Sequence, residues 1–89
     1  SKFRFDKCFI GANGVHHTYG LTTPDTEEAI LKECAINNSR KAYLLADDSK
    51  FGEISTIKFS DINKCVIITN EKPKDNTYDK KTDIKVVDI

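Results

Sequence analysis

Net charge is the first thing this sequence lacks. Fourteen Lys and Arg face fourteen Asp and Glu, so the 89 residues are formally neutral. A basic surplus or stripe, the usual footprint of a chain that grips nucleic-acid phosphates, is missing. Long apolar runs are missing too: the longest span four or five residues, where a membrane helix needs about 20. No secretory-signal pattern precedes the first candidate strand. Cysteine is sparse, with Cys8, Cys34 and Cys65 far apart and no Cys-x-x-Cys pair. Three scattered thiols beside apolar stretches read as free, buried or half-buried cysteines of a reducing cytosol. A zinc site would need clustered ligands. The only adjacent candidates, His16 and His17, would point to opposite faces of an extended segment. With 38% hydrophobic and 31% charged residues, the chain has the make-up of one small folded domain.

What is present is organised by four short apolar runs. Lys7-Cys8-Phe9-Ile10 stops at Gly11, and Ala42-Tyr43-Leu44-Leu45-Ala46 stops at Asp47-Asp48. Cys65-Val66-Ile67-Ile68-Thr69 stops at Asn70, and Ile84-Lys85-Val86-Val87 is the last. The middle two lack the apolar/polar alternation of a sheet with one wet face. Continuous runs of this length predict strands covered on both faces, the pattern of a parallel sheet in an α/β domain.

Between the first two runs lies one clear helix. Thr23-Pro24-Asp25-Thr26-Glu27-Glu28 is a dense start signal, with Thr or Asp as N-cap, Pro in the first turn and acids at the positive helix end. Ile30, Leu31, Cys34 and Ala35 form an apolar stripe, and Asn37-Asn38-Ser39 closes the helix. Strand, helix, strand is a βαβ unit with an expected right-handed crossover. From Phe59 to Lys64 the sequence predicts at most one helical turn, capped by Ser60. Residues 71–83 carry eight charges in thirteen positions and one aromatic, Tyr78, which predicts a surface loop with at most a weak helical turn. Four strands covered on both faces need helices on both faces, and one good helix does not suffice. Either the chain oligomerises through a bare sheet face or it is a piece of a larger domain; the second is the expectation.

Ligands of α/β sheets sit beyond the carboxyl ends of the strands. After the first strand comes Gly11-Ala12-Asn13-Gly14. Glycines there allow close backbone approach and positive φ, and Asn offers a donor and an acceptor; a plain Asn-Gly turn explains the same residues. After the second strand comes Asp47-Asp48-Ser49-Lys50-Phe51-Gly52. Ser49 and Lys50 could hold a phosphate through hydroxyl, amides and ammonium, or the segment is a solvated turn. Asp47 could act as a base, but no His, Cys or second carboxylate at a diagnostic spacing supports catalysis. His16-His17 beside Tyr19 reads as loop surface, and Glu27-Glu28 as helix-start electrostatics.

These pieces in their order resemble a known family. Phe9-Ile10-Gly11-Ala12-Asn13-Gly14-Val15, Gly20-Leu21-Thr22-Thr23, Glu28-Ala29 with Lys32, Leu45-Ala46-Asp47-Asp48-Ser49-Lys50-Phe51-Gly52 and Val66-Ile67-Ile68-Thr69-Asn70 are similar to the second half of the sensor domain of DeoR-type transcriptional repressors. The resemblance runs from about Phe5 to the C-terminus. The family usually has Asp where Asn70 stands.

The resemblance implies an α/β domain with a mostly parallel sheet, the C-terminal half of a ribose-5-phosphate-isomerase-like sensor. It implies a phosphorylated sugar as effector and operator DNA bound only through an N-terminal helix-turn-helix absent from this chain. It implies that Lys50 contacts the sugar phosphate, with Asp47 and Ser49 in the same segment, and that Gly11, Asn13 and Gly14 line the sugar. The catalytic carboxylate of the isomerases falls at Lys32, and a cation cannot abstract the proton; no cofactor is implied. The Gly20–Pro24 and Asn38–Lys41 stretches are closest to fructose-operon repressors, which implies fructose 1-phosphate. Ligand-controlled repressors commonly pair symmetrically to meet two operator half-sites, so a homo-oligomer without membrane attachment is expected. A small sugar-phosphate isomerase, or a plain interaction module pairing through its bare sheet face, are the alternatives.

Overall fold

The four apolar runs become the four strands of one parallel sheet in a computed structural model that describes residues 4–88. They are β1 (Phe5–Gly11), β4 (Ser39–Leu45), β6 (Val66–Thr69) and β7 (Ile84–Val86), and they lie side by side in that order. A second, antiparallel sheet places β2 (Gly14–His16), β3 (Gly20–Thr23) and β5 (Ile57–Ser60) in the order named. Helix α1 (Thr26–Asn37) joins β3 to β4, and a short α2 (Thr77–Lys81) precedes β7.

The register sorts the parallel sheet into two unlike faces. Ile10, Leu44, Ile67 and Ile84 stand opposite one another across the four strands. With Ala42 and Cys65 they join Val15, Leu21 and Phe59 of the second sheet in one core. The next row, Phe9, Tyr43 and Val66, points the other way, and Phe9 is 58% exposed although its ring stacks on Tyr43 at 5.0 Å between centroids. Leu45 on the same face is 49% exposed. So β4 and β6, which read as covered twice, are covered once among the described residues. The apolar residues for the second face are there, and among the described residues no layer covers it.

Helix α1 repeats the lesson. Asp25 is its N-cap, accepting from the Glu27 amide at 2.9 Å, while Pro24 stands before the cap and not in the first turn. The expected stripe is reversed. Ala29 and Ile36 are the buried residues, and Ile30 and Leu31 are 61% and 69% exposed. Lys32, not an apolar residue, completes the inner face: its ammonium lies 5.4 Å from the centre of the Phe59 ring and 3.5 Å from Glu28. A lysine stem covers an aromatic well while its head stays polar.

Cys34 is therefore exposed, against the expectation of a buried or half-buried thiol; Cys8 is half-buried and Cys65 buried. Burial pushes the Cys65 thiol up to about 12, so almost no thiolate exists there at neutral pH. In a timed thiol-labelling experiment Cys34 is expected to react within the first minutes and Cys65 only after denaturation. Equal rates at the two positions would contradict this packing.

The single turn expected within Phe59–Lys64 is there, as a 3-10 turn at Ile62–Lys64, with Asp61 and not Ser60 at the cap position. The strand Ile57–Ser60 before it, paired with β3, was not expected. The polar stretch 71–83 is anchored and not merely loose surface. Tyr78 is buried, donates its hydroxyl to the Val15 carbonyl at 3.1 Å and meets Phe51 edge-on at 5.1 Å.

Candidate functional site

The carboxyl ends of β1, β4 and β6 form a continuous rim, because Gly11, Leu45 and Ile68 share one line of register. Each strand delivers one candidate element to it: the 11–14 segment from β1, the 47–52 segment from β4, and Asn70 from β6.

The β4 segment is a capped turn. Asp47 is the N-cap of a 3-10 turn at Asp48–Lys50, accepting from the Ser49 amide at 2.9 Å and also from the Ser49 hydroxyl. The Lys50 amide closes on the Asp47 carbonyl at 3.1 Å. One oxygen of Asp47, Oδ1, thus holds the turn. The Ser49 hydroxyl keeps its lone pairs, and Lys50 is half-buried with no carboxylate in ion-pair range among the described residues. An ammonium without a fixed partner at a strand's carboxyl end suits an incoming anion.

Hydrogen bonds from Ser49 hold the Asp47 carboxyl below its usual range, with the Lys50 ammonium adding to the effect. A carboxyl with a depressed folded-state pKa stabilises the turn above its unfolded value and loses that contribution as pH falls through the folded value. The Ser49 amide resonance is therefore expected to keep its position at pH 5 and to titrate with a midpoint below about 3.9. A midpoint at or above that value in an NMR titration would show that the cap does not form.

The 11–14 segment arrives beside this turn through packing. The Asn13 amide donates to the Thr22 carbonyl at 2.9 Å, and the Thr23 hydroxyl donates to the Asn13 side-chain oxygen at 3.3 Å. Gly14 opens β2, and a Cβ on it would stand 2.4 Å from the Glu53 carbonyl oxygen and 2.5 Å from the Thr22 hydroxyl. Beyond it, the Gly52 amide donates to the Val15 carbonyl at 2.8 Å. The two candidate loops, 33 or more residues apart in sequence, are thereby neighbours. Neither Gly11 nor Gly14 has positive φ; that conformation belongs to Gly20 and Gly52. The glycine at position 14 is required by the close approach of another loop, not by an unusual backbone angle.

The structure also shows what sequence reasoning did not single out. Thr22 and Thr23 are fully buried, and the Thr22 hydroxyl accepts from the Ser55 amide at 2.8 Å. They tie β3 to the 11–14 segment and to Ser55. Asn70 bonds Asp48 through both ends of its amide. The one available signal was the departure from Asp at position 70.

The histidines do not behave as opposed side chains. Their rings stack at 4.5 Å, and His16 Nδ1 accepts from the amides of Thr18 and Tyr19 at 3.1 and 3.0 Å. They shape the β2–β3 turn and one wall of a cleft of about 380 Å³ with Phe51, Lys74 and Tyr78. A smaller cleft of about 250 Å³ lies at Leu45, Asp47, Ile68 and Asn70 on the rim itself. Among the described residues no three His, Cys, Asp or Glu side chains converge as metal ligands.

A parallel sheet whose strand ends carry a capped Ser-Lys turn and a glycine-asparagine segment defines an α/β domain. The comparisons with known proteins give its family. The model of the DeoR C-terminal sensor domain matches residues 1–72, and the chain belongs to that family. It is 52% identical to the uncharacterized HTH-type transcriptional regulator FruR of Bacillus subtilis, over 97% of this chain and 35% of that protein. It is 32% identical to the HTH-type transcriptional regulator IolR of the same organism, over 86% of this chain and 31% of that protein. The lactose phosphotransferase system repressor of Staphylococcus aureus is 31% identical, over 98% and 35% respectively. The chain thus spans about a third of the length of the relatives it matches. These relatives are transcriptional regulators and not enzymes. No helix among the described residues is long and apolar enough to cross a membrane.

Proposed function

We propose that this chain is the effector-sensing part of a cytoplasmic sugar-responsive repressor, and that it binds a phosphorylated sugar at the rim formed by Gly11, Asn13, Ser49 and Lys50. The observation that carries the reading is the capped turn: it holds a Ser hydroxyl and an ammonium with no carboxylate partner among the described residues at a parallel strand's carboxyl end. Lys50 supplies charge to the phosphate, Ser49 a hydroxyl and Asn13 an amide for the sugar, while Asp47 and Gly14 hold the turn and the loop contact in place. The kinship with FruR supports fructose 1-phosphate as the effector. Operator DNA is bound through a separate helix-turn-helix of the parent protein, which works as a homo-oligomer.

The half-domain needed over the bare sheet face is the rest of the sensor, and the longer relatives have chain enough to supply it. No step of an isomerase is assigned. Lys32, at the position of the isomerase carboxylate, is a cation packed on Phe59 and cannot take a proton from carbon.

Calorimetric titration of the parent protein with a panel of sugar phosphates, alongside an isomerase assay on ribose 5-phosphate, tests the reading. Saturable binding of one panel member without turnover is the expected result. Absence of binding across the panel would leave a plain interaction module, and turnover abolished by Lys50→Ala would establish an enzyme.

A further inference from the structure

Asn70 closes β6 and turns its side chain onto the β4 turn 22 residues away. Its Oδ1 accepts from the Asp48 amide at 2.8 Å, and its Nδ2 donates to the Asp48 carboxylate at 2.9 Å. The Thr69 hydroxyl lies 3.4 Å from the same Oδ1, and the sense of the amide is fixed by Asp48, whose N–H can only donate and whose carboxylate can only accept. Both bonds need this pairing of residue types. An aspartate at position 70 could still accept from the amide, but it would set one carboxylate against another at hydrogen-bond range. Asn at 70 and Asp at 48 are thus chemically matched.

We infer that Asn70 and Asp48 form a positioning latch, which holds the Asp47–Lys50 turn against the end of β6 and so sets where Lys50 presents its charge. The inference rests on the effector reading for its functional consequence, though not for the latch itself. Asn70 need not touch the ligand; it acts through the turn. The pair also links two adjacent strand ends, so a shift of β6 relative to β4 would be felt at Lys50.

The test uses the parent protein and three variants: Asn70→Asp, Asp48→Asn, and the two together. Hydrogen exchange of residues 48–52 is read without ligand, and affinities for fructose 1-phosphate and for inorganic phosphate are read by calorimetry. Asn70→Asp is expected to speed exchange in this segment about tenfold and to weaken fructose 1-phosphate binding about tenfold, the effect of one lost charge-assisted hydrogen bond. In the double variant the amide at position 48 donates to the carboxylate at position 70, and both readouts are expected to return to within about threefold of the parent. A mere electrostatic push on the ligand would move affinity and leave exchange untouched. Unchanged exchange in Asn70→Asp, or a double variant no nearer the parent than Asn70→Asp alone, would overturn the latch. If the parent binds neither probe while the exchange pattern holds, the effector reading fails and the latch stands.

Discussion

Lys50→Ala is expected to weaken sugar-phosphate binding by the parent protein roughly 30-fold while leaving its unfolding transition within about 0.5 kcal/mol of the wild type. A hydrogen bond to a charged group contributes about 2 kcal/mol, and each 1.4 kcal/mol is about tenfold in affinity. The small effect on stability follows from the surroundings. Lys50 has no ion-pair partner among the described residues, and the turn is closed by its backbone amide and by Asp47, not by its side chain. Lys50→Arg is a useful companion: it keeps the charge but changes its geometry, so partial recovery of affinity separates a point-charge contact from a shape-dependent one. Calorimetry and chemical denaturation on the same preparations check both parts. A large stability loss with Lys50→Ala would mean that the residue is structural and that the phosphate site lies elsewhere.

Gly14→Ala should do the opposite, destabilising the fold by about 3 kcal/mol. Its Cβ would stand 2.4 Å from the Glu53 carbonyl oxygen and 2.5 Å from the Thr22 hydroxyl. The nearest atom is backbone and cannot swing aside, and Thr22 is itself held by the Ser55 amide. Relief requires the 51–53 segment to move away from β2, opening the contact that sets the two candidate loops side by side. Gly11→Ala is the control. The nearest atom to its Cβ is the Leu45 carbonyl oxygen at 3.9 Å, so stability should change by less than about 1 kcal/mol. If Gly11 lines the sugar, the added methyl should lower affinity without touching the fold. Equal destabilisation by the two alanines would contradict the packing described here.

The parallel sheet was legible because its strands are continuous apolar runs ended by Gly11, Asp47 and Asn70, and the helix because Asp25 and the following acids mark its start. The facing of that helix was not legible. Apolar residues occupy both sides of α1, and only the tertiary fit decides that Ala29 and Ile36 meet the core while Ile30 and Leu31 look outward. The second sheet escaped because its strands are three or four residues long and each carries only one or two apolar residues among Gly, His, Thr, Lys and Ser, too short a run to show a period. Thr22 and Thr23 are fully buried because backbone groups and Asn13 satisfy their hydroxyls, a circumstance that arises only once distant segments have met. Tyr78 is the same case: within a charged stretch it looks like surface, yet the Val15 carbonyl 63 residues earlier gives its hydroxyl a partner.

At the candidate site, the segments 11–14 and 47–50 were visible as strand-end clusters, and the family resemblance ranked Lys50 first among them. Their contact through Gly14, Val15, Gly52 and Glu53 was not visible, since no periodicity links loops so far apart. The division of labour was hidden as well. Asp47 also caps the turn and Gly14 also lets the loops approach, contacts that the spacing did not show.

The most direct test of sugar-phosphate sensing at this rim is hydrogen exchange of the parent protein with and without saturating fructose 1-phosphate. Slower exchange concentrated in residues 11–14 and 47–52 is the expected result. Protection confined to other segments, or an exchange pattern that the sugar phosphate does not alter, would contradict it.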